Sequence, residues 1–180
     1  MSRSAAASGV LIVAIAVSAC AAAVSPSISA DESVSGSAGA SVSVNMSRLV
    51  GIEIVDRAAA AIEIAFDAGA AAELVAPLPA DADFATQAVL CLFIGERNTG
   101  GWAVTVQSIR IVEGRMEITA RETEPRGGTA TDGATYPADC VLIDRSVLPV
   151  GSLPVTSTDT TSDEFIIDGA IDVPAPAGAP

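Results

Sequence analysis

The side chains best suited to chemistry are gathered in one short segment that reads GERNTGGW. Arginine and tryptophan are favoured anchors in protein interfaces, and glycines let a partner approach the backbone closely. These residue types therefore predict recognition of another molecule rather than catalysis. The candidate interaction loop consists of Gly95, Glu96, Arg97, Asn98, Thr99, Gly100, Gly101 and Trp102.

Residues needed for most enzyme chemistries are missing from the sequence. The chain contains no histidine and no lysine, so a serine or threonine nucleophile lacks its usual activating base. Two cysteines beside Cys20 are too few for a structural zinc site. The acidic group Asp159, Asp163 and Glu164 lacks the EF-hand pattern and is typical of a solvated loop. We expect no enzymatic activity, no catalytic residue, no metal and no cofactor.

The loop is flanked by two segments with the patterns of β-strands. Val89 to Ile94 is an apolar run, and Trp102 to Val112 carries β-branched residues at alternate positions. This arrangement predicts a hairpin with the loop at its tip. A turn at Glu113-Gly114 then returns the chain as an antiparallel arm over Met116 to Glu122.

Further strands and a single helix are predicted on either side of this unit. Asp67 is a candidate N-cap for a helix from Ala68 to Ala76, which Pro77 would end. The fold class is mainly β, an antiparallel sandwich or an open barrel with one short helix. The other predicted strands are Leu49 to Val55, Ala61 to Phe66, Cys140 to Ile143 and an edge strand at Phe165 to Ile167.

The loop resembles a pattern of a known family. GERNTGGW is similar to the G-E-R-P-T-G-G-Y pattern in the C-terminal domain of the protease complex subunit PrcB family, with Asn98 replacing proline and Trp102 replacing tyrosine or phenylalanine. Asp83-Phe84, Glu122-x-x-Pro125 and Thr135-Tyr136-Pro137 follow the same order. The resemblance covers residues 81–145.

This resemblance implies a non-catalytic subunit that associates with or stabilises an exported or envelope protease. Two alternatives remain. The N-T-G-G-W core resembles the N-P-T-T-G-Y loop of chagasin-type protease inhibitors, which would make the loop a wedge for an active-site cleft. A structural envelope protein without a specific partner is the third option, in which the loop is only a corner of the scaffold and Trp102 is a core residue.

The N-terminus has the pattern of a lipoprotein signal peptide. Arg3 precedes a short apolar run, Val10 to Val17, and the chain then reads Val-Ser-Ala-Cys up to Cys20. That tetrapeptide resembles the lipobox of bacterial lipoproteins. The resemblance implies a lipidated Cys20 and an exported chain that is anchored to a membrane of the cell envelope, whereas ordinary secretion is the alternative.

Composition predicts how the chain is divided. Residues 1–19 are the signal peptide and residues 20–46 an Ala/Ser-rich disordered tether; residues 47–150 form the β domain, and residues 151–180 form a C-terminal edge segment and tail. The net charge of −13 would repel phosphate backbones, so we expect no nucleic-acid partner.

The remaining cysteines, Cys91 and Cys140, each lie in an apolar strand-like run. An exported protein can keep a disulfide, and neighbouring strands can bring two cysteines within bridging range. The alternative is a pair of buried free thiols that act as small apolar side chains.

Overall fold

The computed structural model describes residues 40–125, 132–162 and 165–175. These residues form thirteen strands and one helix, and none of their helical structure is long and apolar enough to cross a membrane. In chain order the elements are β1 (Ser41–Ser43), β2 (Met46–Arg48), β3 (Glu53–Ile54), β4 (Ala60–Ala65), α1 (Ala68–Ala72), β5 (Val75–Ala76), β6 (Gln87–Ile94), β7 (Arg97–Thr99), β8 (Ala103–Val112), β9 (Arg115–Thr123), β10 (Asp132–Thr135), β11 (Ala138–Asp144), β12 (Gly151–Asp159) and β13 (Phe165–Val173).

The strands form two main sheets and two small ones. The five-stranded sheet has the order β1-β8-β9-β12-β13, and the four-stranded sheet has the order β2-β11-β6-β4. Strands β9 and β12 run parallel, whereas the other pairs are antiparallel. Neither main sheet closes on itself within the described residues. The predicted fold class, mainly β with one short helix, is confirmed.

Strand β6 lies in the interior of the domain, and both of its faces are apolar. Leu90 and Leu92 belong to the core between the two main sheets, whereas Val89 and Phe93 point to the opposite face of the four-stranded sheet. All four side chains are almost fully buried. An uninterrupted apolar run is the pattern expected of a strand that is covered on both sides.

Helix α1 and the small β3–β5 sheet supply apolar residues to the core on this second face. Ala71, Leu74 and Val75 pack in one cluster with Val89, Cys91 and Phe93 of β6. The four-stranded sheet is therefore the middle layer of the domain, with the five-stranded sheet on its other side.

The predicted hairpin between Val89–Ile94 and Trp102–Val112 is wrong. Strand β6 pairs with β11 and β4, whereas β8 pairs with β1 and β9, so the loop carries the chain from one sheet to the other. Both strands supply side chains, such as Leu92 and Val106, to the core between the two sheets. Alternating apolar residues fit a strand in either sheet, so periodicity could not distinguish the two arrangements.

Other boundaries differ in detail. The Asp67 carboxylate accepts a hydrogen bond from the Ala70 N–H at 2.9 Å, as predicted for an N-cap, but α1 ends at Ala72 instead of Ala76. Val75–Ala76 pairs with Glu53–Ile54 instead, and this pairing also limits the strand predicted over Leu49 to Val55 to a short element. Tertiary pairing overrides the local helix preference of the alanine run.

The folded domain extends beyond the predicted limits of 47–150 at both ends. Strand β1 lies inside the predicted tether and pairs with β8, and Val44 is buried in the main core. Strand β12 lies between β9 and β13, where Leu153 and Val155 are buried, so residues 151–159 are central and not an edge. The predicted edge strand at Phe165 is confirmed as β13. The segments 1–39 and 176–180 lie outside the described residues.

Candidate functional site

The candidate loop begins where the chain leaves β6 through Gly95. This residue is buried and has φ +79, a conformation that L side chains rarely adopt. A Cβ atom there would lie 3.0 Å from the Ala60 nitrogen and 3.1 Å from the Ala58 oxygen. The Glu96 N–H donates to the Ala58 oxygen at 3.0 Å directly after it. Gly95 is therefore required by the scaffold and offers no surface to a partner.

The middle of the loop is a short strand instead of a free tip. Strand β7 pairs with β10, with Arg97 opposite Thr135 and Thr99 opposite Asp132. The Thr135 hydroxyl also donates to the Thr99 carbonyl oxygen at 2.9 Å. These contacts fix the backbone of the loop before any partner arrives.

Arg97 is held inside the loop by several contacts. Its Nε donates to Glu122 Oε1 at 2.8 Å, and its Nη1 donates to the Ile94 carbonyl oxygen at 2.8 Å. Its guanidinium carbon lies 5.6 Å from the centre of the Trp102 ring. The Arg97 side chain is only 28% exposed. It organises the loop through these contacts, and the rest of the side chain remains partly exposed.

Trp102 lies between the two roles that the sequence allowed. Its side chain is half-buried, and its indole N–H donates to Thr99 Oγ1 at 3.2 Å. One side of the indole therefore supports the loop while part of the residue remains accessible.

The two adjacent glycines have different environments. Gly100 is buried, whereas Gly101 is exposed with φ +91. Replacing Gly101 by valine would strain the backbone, so a glycine-to-valine change here would not test binding alone.

The exposed part of the loop is formed by Glu96, Asn98 and Gly101. The Tyr136 hydroxyl lies 3.5 Å from Glu96 Oε2 and supports that carboxylate from the segment that follows β10. We call Glu96, Asn98, Gly101 and Trp102 the loop surface. It combines one charge, one amide, bare backbone and part of a large ring.

An open cavity of about 530 Å³ lies beside the loop surface. The sequence interpretation missed its far wall, which comes from the ends of the parallel strands β9 and β12. The available signal was the polar Asp159, which continues the inward-facing series after Leu153 and Val155 on β12. The cavity is lined by Arg97, Trp102, Arg121, Glu122, Thr123, Glu124, Asp159, Thr161 and Ser162.

Asp159 is a buried carboxylate with a full set of hydrogen bonds. It accepts the Glu122 N–H at 3.0 Å, and its other oxygen accepts the Ser162 N–H and hydroxyl at 3.2 and 3.0 Å. Burial pushes the pKa of Asp159 upward, but the hydrogen bonds from Glu122, Thr161 and Ser162 outweigh it, so the pKa lies below its usual value. The carboxylate therefore fixes the cavity wall as a charged, structural group.

The described residues contain no group of three or more histidine, cysteine or acidic side chains that could hold a metal ion. Asp163 and Glu164 of the acidic group lie outside the described residues, as does Cys20. Two guanidinium groups and three carboxylates surround the cavity. This arrangement can bind polar or charged side chains of a partner.

Cys91 and Cys140 lie opposite each other in the β6–β11 pair and are joined by a disulfide, with Cα atoms 4.2 Å apart. Both are buried in the core between the four-stranded sheet and α1. The bond therefore joins β6, which precedes the loop in the chain, to β11, which follows β10.

Comparison with known protein families finds a match over the middle of the chain. Residues 88–144 match the family model described as PrcB C-terminal. Neither the comparison with curated proteins nor the comparison with solved structures finds a match. The matched span runs from β6 to the last residue of β11, and it includes the whole loop and both disulfide-bonded cysteines. It confirms the resemblance seen in the loop over about the same residues.

Proposed function

We propose that this chain is a lipid-anchored, exported, non-catalytic module that associates with a protease complex of the cell envelope and does so through the loop surface. The family resemblance supports the partner class, because the family takes its description from a protease complex subunit. The match over residues 88–144 is the reason for proposing the same class of partner for this chain.

One structural observation carries the choice of surface. The separate pieces of the family pattern converge on the loop: Glu122 binds Arg97, Thr135 binds the backbone of Thr99, and Tyr136 reaches Glu96. Pro137 also accepts the Ile94 N–H through its carbonyl oxygen, at 3.1 Å. A pattern that is dispersed in sequence and assembled around one loop is what a shared recognition surface requires.

The geometry favours binding at low entropic cost. Strand β7 is paired and Arg97 is fixed by three contacts, so the loop has little freedom to lose on docking. The adjacent cavity of about 530 Å³ has room for side chains of the partner. Its charged lining would select polar or charged groups rather than apolar ones.

The membrane anchor rests on the N-terminal sequence. Cys20 follows an apolar segment and a lipobox-like Val-Ser-Ala sequence, and acyl chains on it would hold the domain at a membrane. Replacing Cys20 by serine should move the protein from the membrane fraction to the soluble fraction and remove the mass of the acyl chains. Equal mass and equal fractionation of both proteins would contradict the anchor.

A matched pair of variants tests the binding surface. The chain has two asparagines, Asn98 in the loop surface and Asn45 beside β2, and both are exposed. Asn98→Arg should abolish co-purification of a protease from native envelope extract, whereas Asn45→Arg should not. Protease activity in the eluate would identify the partner as a protease. Loss of that activity when the chain is bound would instead identify the chain as a protease inhibitor.

Trp102 offers a direct readout with the purified partner. It is the only tryptophan and lies half-buried at the edge of the cavity, so its fluorescence should change when the loop surface is covered. Two results together would show that association occurs elsewhere. Both asparagine variants would capture the protease equally, and the purified protease would leave the Trp102 fluorescence unchanged.

A further inference from the structure

A second surface lies at the edge of the five-stranded sheet and is independent of the loop. Among the described residues, strand β13 pairs only with β12, so one side of its backbone has no strand partner. On the face of the strand opposite Asp168 and Ala170, a Cβ atom built on Gly169 would meet nothing within 4 Å, so this face is open near the middle of the strand. Asp168, Ala170 and Asp172 are exposed. A long unpaired edge is a template for another strand.

The position of a proline shows which groups the edge presents. Pro154 on β12 lies opposite Ala170, and proline has no N–H to exchange with its neighbour. In an antiparallel ladder this places Ala170 at a non-hydrogen-bonded position, whereas Val155 and Gly169 form the bonded pair. The N–H and C=O groups of Ala170 and of its alternate neighbours Asp168 and Asp172 therefore point away from β12.

The side chains of this edge favour a positively charged partner. Asp168, Ala170 and Asp172 alternate along the strand and share one face of the sheet, so two carboxylates lie four positions apart. Arg115 lies 3.5 Å from Asp168, but both side chains are largely exposed and the pair is weak. A second copy of the chain is disfavoured, because pairing about Ala170 would place Asp168 opposite Asp172 in a protein of net charge −13.

We propose that the outer edge of β13 is a docking site for an extended segment of a partner protein that carries two basic residues four positions apart. The segment would add as a further antiparallel strand. Its backbone would pair with Asp168, Ala170 and Asp172, and its two basic side chains would lie opposite the two carboxylates. This site shares no residue with the loop surface and does not depend on the function proposed above.

Hydrogen exchange and peptide binding test the proposal on the full chain. The probe is a short peptide of alternating valine and threonine with two lysines four positions apart. The amides of Asp168, Ala170 and Asp172 should exchange rapidly in the free protein and become protected when the peptide is present. A control peptide with the same composition but lysines three positions apart should bind several-fold more weakly, because one lysine then lies on the other face.

Variants separate backbone pairing from general charge attraction. Ala170→Pro removes an outward N–H and should weaken binding about tenfold or more, while protected amides at Leu153 and Val155 show that the sheet is intact. Asp168→Asn with Asp172→Asn should weaken binding about threefold to tenfold. Glu117→Gln removes one exposed charge from the same sheet and should have no effect.

Three results would overturn the proposal. The first is protection of the three outward amides in the free full chain, which would mean that another segment of the chain covers the edge. The second is equal binding of the two lysine peptides. The third is an unchanged affinity of the Ala170→Pro protein for the first peptide.

Discussion

Arg97 and Glu122 form an ion pair in which Arg97 Nε lies 2.8 Å from Glu122 Oε1. The two side chains are 28% and 20% exposed, so the pair is partly shielded from water. Arg97 belongs to the loop and Glu122 lies near the end of β9. The pair therefore fixes the loop against the five-stranded sheet, and it also forms part of the cavity wall.

Loss of this pair should destabilise the domain. Arg97→Ala should lower the free energy of unfolding by about 1–3 kcal/mol, because it leaves Glu122 and the Ile94 carbonyl oxygen without their charged donor. Arg97→Lys should not restore it fully, since lysine lacks the planar fork. The control is Arg115→Ala, which breaks the exposed pair with Asp168 and should cost no more than about 1 kcal/mol. Urea unfolding measures all three, and equal costs for Arg97→Ala and Arg115→Ala would contradict the structural role.

Two glycines separate backbone strain from crowding. Gly95 and Gly114 have similar φ values, +79 and +75, but an added Cβ would be crowded by the Ala60 nitrogen at Gly95 and would meet nothing within 4 Å at Gly114. Gly114→Ala should cost about 1–2 kcal/mol, which is the price of the left-handed conformation. Gly95→Ala should cost clearly more, because the backbone of Ala58 to Ala60 must also move. Thermal unfolding compares the two variants. Equal losses of stability would show that the backbone of Ala58 to Ala60 moves at no cost in free energy.

Much of the fold follows from local patterns. The apolar run at Val89, the alternation after Trp102 and the Asp67 cap each indicate one element, and each element is present. Residues that are close in sequence determine these features. The sheet in which a strand lies depends on distant partners, so the local pattern predicts a hairpin tip for a loop that crosses between sheets.

The candidate site was predictable only in part. The glycine-flanked loop was evident from residue types, and the family pattern pointed to Glu122, Thr135 and Tyr136. The sequence did not indicate that Arg97 would be consumed by internal contacts. It also did not indicate that Asp159 would reach the cavity, because β12 joins β9 in parallel across a long separation in the chain.

Removal of the disulfide should destabilise the domain strongly. Cys91 and Cys140 are separated by 49 residues, and closing a loop of that length in the unfolded chain corresponds to about 4 kcal/mol in the chain-entropy model. The Cys91→Ala, Cys140→Ala double variant should therefore lose about 2–4 kcal/mol. Denaturant unfolding with and without reductant provides the check. Reductant should destabilise the wild type but leave the double variant unchanged.

Asp139 should make stability fall as the pH rises above the acid range. It is buried on β11, accepts the Val106 N–H at 2.7 Å and lies 3.5 Å from Arg48 Nη2. Burial raises the pKa of Asp139, and the contacts with Val106 and Arg48 oppose this only in part. The folded state thus holds the proton more tightly than the unfolded state does.

The contribution of Asp139 is therefore fully present below the unfolded pKa of about 4 and is lost as the pH rises through the folded pKa. Asp139→Asn should remove this decline from the curve of stability against pH. Arg48→Ala should make the decline larger, because the nearby positive charge no longer favours the carboxylate. If the stability of the wild type rises with pH through this range in parallel with that of Asp139→Asn, ionisation of the Asp139 carboxyl costs no stability and the prediction is wrong.

Asp159 should have the opposite pH dependence. Burial raises its pKa, but its hydrogen bonds to Glu122, Thr161 and Ser162 dominate and hold the pKa below the usual value. Its stabilising contribution is therefore present above the unfolded pKa of about 4 and is lost as the pH falls through the folded pKa.

Asp159→Asn should cost about 1–3 kcal/mol at neutral pH, since a charged acceptor of several donors becomes neutral. The difference between wild type and variant should shrink as the pH is lowered below 4. Because Asp159 lines the cavity, Asp159→Asn should also change the Trp102 fluorescence at neutral pH. Asp144→Asn, which removes a partly exposed carboxylate that is bonded to Ser146, should not. A difference in stability that stays constant from neutral to acid pH would show that the Asp159 charge does not hold the wall in place.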